Sequence, residues 1–191
     1  AAKSDVKEVA LVVDLAYGAG ATEDNVKWKI EPATITLSGD SETLAGVNSI
    51  SLDKINLAAV DEALTETYKI VIPNDTEVTG GEKEATLTLE IDGLYKRTVS
   101  IDSSYISVIN CSEGYQAELM SSGLDGVVLR GPEETVKNLS EVNIRAVADL
   151  KDFGTATGIV SVPVSIVIDG TTEVGAVTTE DYKVYVNITK D

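Results

Sequence analysis

The 191-residue chain has no histidine. That single absence removes imidazole acid–base steps, Ser/His/Asp and Cys/His nucleophile activation, and histidine ligation of metals. Cysteine is nearly missing as well, since Cys111 stands alone; neither an intramolecular disulfide nor a thiolate zinc site can form. In its setting, Val-Ile-Asn-Cys-Ser, Cys111 reads as a small strand residue and not as a nucleophile. Positive charge is scarce: 15 Lys and Arg stand against 32 Asp and Glu, a formal charge of −17 shared by both halves. That charge argues against binding a phosphate backbone or an anionic lipid surface by charge alone, and the acidity reads as a solvated exterior. No apolar run approaches the roughly 20 residues that span a bilayer, and no signal peptide is visible. The abrupt opening at Ala1-Ala2-Lys3 reads as the start of a soluble region taken from a longer protein.

What chemistry remains belongs to carboxylates and lysines. Asp61-Glu62, Glu82 with Glu84, and Glu133-Glu134 stand where a charged face or a helix start puts them, without the apolar neighbours that raise a carboxyl pKa. Asp75 and Glu77 are loop acids of the kind calcium takes, but no Asp-x-Asp-x-Asp-Gly loop surrounds them. The glycines at 18 and 20 lack the lysine and serine of a phosphate loop, and no Gly-x-Gly-x-x-Gly run occurs. Asn110, Asn138 and Asn187 each open an Asn-x-Ser/Thr triplet, which matters only in a glycosylating pathway. The reading is of a non-enzyme, with no catalytic, cofactor-binding or metal residues and no cofactor.

What the chain does contain is a duplication. The stretch Val127 to Leu150, VVLRGPEETVKNLSEVNIRAVADL, has a fainter copy at Ile35 to Leu57, ITLSGDSETLAGVNSISLDKINL. Each begins with an alternating apolar pair, Ile35 and Leu37 or Val127 and Leu129, and reaches a glycine, Gly39 or Gly131. A helix-compatible segment of about two turns follows, with apolar residues three apart: Leu44, Val47 and Ile50, then Val136, Leu139 and Val142. Gly131 is expected to close its strand with a backbone angle few other residues accept, and Pro132 to take the first helical position, where its missing N–H costs nothing. Glu133 and Glu134 favour the positive end of the helix dipole. In the first copy Asp40 or Ser41 is the expected cap. A helix this short is unstable alone, so its apolar stripe must lie on a sheet.

Around these stretches the pattern is that of strands. Residues 9–15 form an apolar run, followed by Tyr17-Gly18-Ala19-Gly20-Ala21, a loop with little to order it. Val26, Trp28 and Ile30 alternate, so Trp28 is expected to face a core. Tyr68, Ile70 and Ile72 are ended by the turn Pro73-Asn74-Asp75. Ala85, Leu87, Leu89 and Ile91 alternate with polar residues up to Asp92-Gly93, where the first copy stops. Val160 to Ile168 alternate over a long run in which Pro163 suggests an edge strand. Tyr182, Val184, Val186 and Ile188 close the second copy. The fold class is mostly β: two tandem small β-rich domains, each with one short helix, spanning residues 1–93 and 94–191.

The organising stretch resembles the repeats of the YbbR-like domain family: a strand ending in Gly-Pro, a short helix with apolar residues three apart, and an Asp-Leu strand end. The second copy shows these at Val128 to Gly131, Pro132, Val136, Leu139, Val142 and Asp149-Leu150. In the first copy Asp40 replaces the proline, and Asn56-Leu57 stands one residue early in place of Asp-Leu. The resemblance implies extracytoplasmic tandem domains of a bacterial protein, held at the membrane only through an anchor outside this chain. It also implies contact with a protein partner, the membrane diadenylate cyclase that makes cyclic di-AMP, and no role with nucleic acid. Two other classes remain. One is a structural surface protein, a pilin or adhesin stalk of β domains; the other is a hydrolytic or carbohydrate-active module using acids alone.

Overall fold

The computed structural model describes residues 4–191, which leaves the opening Ala1-Ala2-Lys3 outside the described residues. The chain is mostly β and divides into two compact units. Unit 1 comprises the residues up to Ala16, Glu23–Leu57 and Glu62–Asp92; unit 2 comprises Tyr17–Thr22, Ala58–Asp61 and Gly93–Asp191. Against the contiguous stretches 1–93 and 94–191 read from the sequence, two segments from within the first stretch thus belong to unit 2.

Unit 1 runs β1 (Ser4–Ala16), β2 (Val26–Glu31), β3 (Thr34–Asp40), α1 (Ser41–Ala45), β4 (Ser49–Asn56), β5 (Ala63–Lys69), β6 (Thr76–Val78) and β7 (Glu84–Ile91). The first part of β1 pairs antiparallel with β3 and its second part pairs parallel with β4, which with β6 gives the order β4-β1-β3-β6. A second antiparallel sheet has the order β2-β7-β5. Alternation decides what is buried: Val9, Leu11 and Val13 of β1, Ile35 and Leu37 of β3, and Ala85, Leu87, Leu89 and Ile91 of β7 all point into the core.

Unit 2 runs β8 (Tyr95–Asp102), β9 (Ile106–Ile109), β10 (Tyr115–Leu119), β11 (Gly123–Gly131), α2 (Glu133–Asn138), β12 (Ile144–Asp149), β13 (Gly158–Ile168), β14 (Gly175–Ala176) and β15 (Lys183–Lys190). Its sheets have the orders β14-β11-β8 and β10-β15-β13-β12-β9. Leu129, Val136, Ala146, Ala148, Val162, Val184 and Val186 form the centre of its core, none with measurable exposure.

The two units repeat one topology element for element. β8 and β9 together correspond to β1, because β8 pairs antiparallel with β11 as β1 does with β3, and β9 pairs parallel with β12 as β1 does with β4. By the same matching β10, β13, β14 and β15 answer β2, β5, β6 and β7.

Several local expectations are corrected. Trp28 lies on the same face of β2 as buried Val26 and Ile30 but is 42% exposed. β2 is the edge of its sheet, and one neighbouring strand does not cover a ring of that size. The expected strand through Tyr68, Ile70 and Ile72 begins earlier and stops at Lys69. Pro163 is not on an edge strand, since β13 lies between β15 and β12. The N–H of Val164 donates to the carbonyl of Tyr182 on the β15 side, so the nitrogen of Pro163 faces the other way. On that side the β12 ladder reaches only Val164, so no donor is needed at Pro163.

Both helices are shorter than the spacing of three suggested. Leu44 and Val136 are buried anchors, one per helix. Val47 and Leu139 are half-buried just beyond the helix ends, Ile50 is buried within β4, and Val142 is 60% exposed on the turn Glu141–Asn143. The cause is the chain's exit: Leu139 is already extended, with φ −69° and ψ 124°. Pro132 precedes α2 as its cap residue, one place before the expected position, and its carbonyl accepts the first helical bond, from the N–H of Val136 at 2.9 Å. Asp40 holds the same place before α1, without a side-chain capping bond.

Candidate functional site

The repeated glycines sit at one structural position, and neither has a positive φ. Gly39 is opposite Thr76 of β6, and a Cβ on it would lie 2.9 Å from the carbonyl oxygen of Asp75. A Cβ on Gly131 would lie 2.7 Å from the carbonyl oxygen of Glu173. Close approach of the short neighbouring strand, not an unusual backbone angle, is what requires glycine here. The other end of the motif is a corner. Asn56 ends β4 opposite Ala16, and Asp149 ends β12 opposite Ile109, each followed by a buried leucine, Leu57 or Leu150. The carboxylate of Asp149 accepts bonds from Asn110 Nδ2 and the Lys151 N–H, both at 2.9 Å, and these hold its pKa below the ordinary aspartate value.

The residue that sequence reasoning passed over is Arg130, within the organising stretch itself. Alternation along β11 sends Val127 and Leu129 into the core and Arg130 to the opposite face, where a charged side chain normally meets water. Arg130 is instead 1% exposed. Its Nε donates to the carbonyl of Ala19 at 2.7 Å, and its Nη1 donates to the carbonyls of Val60 at 2.5 Å and Asp61 at 2.8 Å. Burial lowers the pKa of the guanidinium, while the charge of Asp61 acts in the opposite direction; an arginine so placed stays protonated near neutrality. A planar group with five donors in a fixed fork suits the collection of several carbonyls at once.

The segments that cover Arg130 are shaped to it. Ala19, Ala21 and Val60 are buried, and Ala19 adopts a left-handed φ of 49°. Gly20, at φ 80°, lies so close to Gly131 that a Cβ would stand 2.7 Å from its Cα. A Cβ on Gly175 would stand 3.0 Å from the Cα of Ala19. The N–H of Thr178 donates to the carbonyl of Ala58 at 2.8 Å, and Lys96 pairs with Asp61. The loop from Tyr17 to Ala21, expected to lack order, is therefore built into unit 2. Its signal in the sequence is weak: an arginine beside the motif glycine, and small residues far away.

No protein-family model matches the chain, and no curated protein matches it. Two solved structures to which it is similar are YbbR-like. One is a YbbR-like protein from Streptococcus pneumoniae TIGR4, 14% identical, over 99% of this chain and 97% of that one, with a TM-score of 0.36. Another is the YbbR-like domain of the lmo2119 protein from Listeria monocytogenes, 15% identical, over 51% of this chain and 95% of that one, with a TM-score of 0.36. A third, SuR18C from Streptococcus thermophilus, is 15% identical over 46% of this chain and 84% of that one, with a TM-score of 0.37.

The acid pairs weighed from sequence lie on the surface. Asp61, Glu62, Glu82, Glu84, Glu133 and Glu134 are all exposed, and among the described residues no three His, Cys, Asp or Glu side chains are grouped to hold a metal. Cys111 is half-buried. Unit 2 has a polar groove of about 440 Å³ bordered by Glu134, Asn138 and Asp169. Unit 1 has a larger and more apolar groove of about 580 Å³, lined by Ile70, Ile72 and Val78 beside Lys69, Glu82 and Lys83. Among the described residues no helix is long and apolar enough to cross a membrane.

Proposed function

We propose that the chain is a non-catalytic interaction module of the YbbR-like kind, which acts outside the cytoplasm by contact with a protein partner. The observation that supports this reading is the duplication: a Gly-bounded strand, a one-turn helix and a buried Leu at a strand end occur twice, in the same order and on the same topology. A chain without histidine, whose acids lie on solvated faces, has little to offer a reacting bond and much surface to offer a partner. The intact protein is then anchored at the membrane, and the partner we propose is the diadenylate cyclase that makes cyclic di-AMP. The test is co-expression of the anchored protein with that cyclase while cyclic di-AMP is followed. Deletion of both repeats is expected to change the nucleotide level; an unchanged level with the deleted protein present at the membrane counts against the reading.

A further inference from the structure

We propose that the second repeat does not close by itself: residues 17–22 and 58–61 are a strap that completes unit 2, and Arg130 is its clasp. The inference is independent of the proposed partner and rests on the contacts within unit 2.

The sheet β14-β11-β8 has one face in the core. On its other face β11 presents Arg130, and pairing with β14 and β8 extends the sheet sideways without covering that face. The strap supplies the cover. Three of its carbonyls accept bonds from one guanidinium, at 2.7, 2.5 and 2.8 Å. Removal of the strap would leave an arginine on an open face and those carbonyls to be satisfied by water.

Shape makes the same point without charge. Gly20 lies against the backbone of Gly131 with no room for a methyl group, and Ala19 lies against Gly175 so closely that a methyl group there would push its backbone by a few tenths of an ångström. The carbonyl of Ala58, in the other strap segment, is bonded to the N–H of Thr178. Three small or backbone groups from the strap therefore meet three positions of the second repeat. The first repeat has no such device at the matching strand position, where Ser38 stands in place of Arg130. Folding units and sequence repeats are thus offset: 17–22 and 58–61 are written in the first copy and used by the second.

The test uses the full chain and hydrogen exchange read strand by strand. In Gly20→Ala, a methyl group is forced against Gly131 at a positive φ, and amides of β8, β11 and β14 are expected to exchange roughly a hundredfold faster, with those of β2, β5 and β7 unchanged. Arg130→Met, of similar length but without donors, is expected to give the same pattern. Arg130→Lys keeps the charge without the fork, and is expected to give a smaller change of the same kind, which keeps the test readable if the other variants fold poorly. Ser38→Ala is the control and is expected to alter neither unit. Faster exchange in unit 1 alone, in both units alike, or in neither, would overturn the proposal.

Discussion

Units 1 and 2 share an order of elements and differ in where their hydrogen-bond ladders break. In unit 1 the first strand runs unbroken for 13 residues, so β3 and β4 flank it in one sheet. In unit 2 the same strand is interrupted at Ser103–Tyr105, where the Asp102 carboxylate accepts the Ser104 N–H, and it becomes β8 and β9 in separate sheets. The opposite seam behaves the other way. β13 runs for 11 residues and passes from β15 to β12 at Pro163 and Val164, which closes that side with backbone bonds. Its counterpart β5 stops at Lys69 and pairs with β7 alone, so no backbone ladder joins it to β4. Topology thus survives large changes in ladder continuity, because buried alternate residues hold the strands in place whether or not every neighbour is bonded.

The largest test of that equivalence lies in the cores. Leu37 and Leu129 hold matching places two residues before the motif glycines, and both are fully buried. Leu37→Ala and Leu129→Ala are each expected to cost about 2–5 kcal/mol. Hydrogen exchange should locate the loss in unit 1 for the first and unit 2 for the second; a loss shared by both units in either case would show that they do not unfold separately. Next come the glycines. Gly39→Ala and Gly131→Ala each force a backbone shift against a carbonyl oxygen, at an expected cost of about 1–3 kcal/mol. Gly131→Ala is expected to cost more, because its Cβ would also meet a side-chain carbon of Val174 at 2.9 Å. Equal denaturation midpoints for the two variants would remove that distinction.

The smallest effects are those of pH, and they have opposite signs in the two units. Asp149 has a lowered pKa, so its contribution is present above the ordinary aspartate value of 3.8 and is lost as pH falls through its own lower value. Asp149→Asn is expected to be less stable than the parent at neutral pH and equal to it in strong acid. The matching residue in unit 1 is already Asn56, which gives that corner no acid-sensitive group of this kind. Tyr68 has its pKa pushed up to about 12, first by burial and then by its bond to Asp53 and the negative charge there. Its contribution is present below the ordinary tyrosine value of 10.0 and is lost as pH rises toward 12. Tyr68→Phe, which has no group to ionise, is expected to lose less stability than the parent as pH rises through that range. Unfolding midpoints taken across both ranges check both signs.

Much of this architecture was legible because strand alternation is local. Ala85 to Ile91, Val184 to Ile188 and the pairs leading to Gly39 and Gly131 show their buried faces at a period of two. The spacing of three was misleading past Leu44 and Val136, since a helix turn followed by a strand or bend can keep apolar residues three apart without continuing the helix. The reason for Gly131 is not a special backbone angle: like Gly39 it is required by close approach, from β6 in one unit and from the segment leading into β14 in the other, short elements with no strong apolar signature of their own. Trp28 stands on an edge strand and Pro163 on an inner one because a residue's position at an edge or a centre depends on how many strands lie beside it, which the strand's own residues do not state.

By itself the sequence determined the β-rich class, the twofold writing of one motif and, through the absence of histidine, the chemistry that is out of reach. Only the tertiary structure decided that Arg130 is buried. Its three carbonyl partners lie 111, 70 and 69 positions away. Periodicity tells which way a side chain points from its own strand; what waits on that side is set by segments remote in the chain, whose meeting depends on the packing of the whole unit.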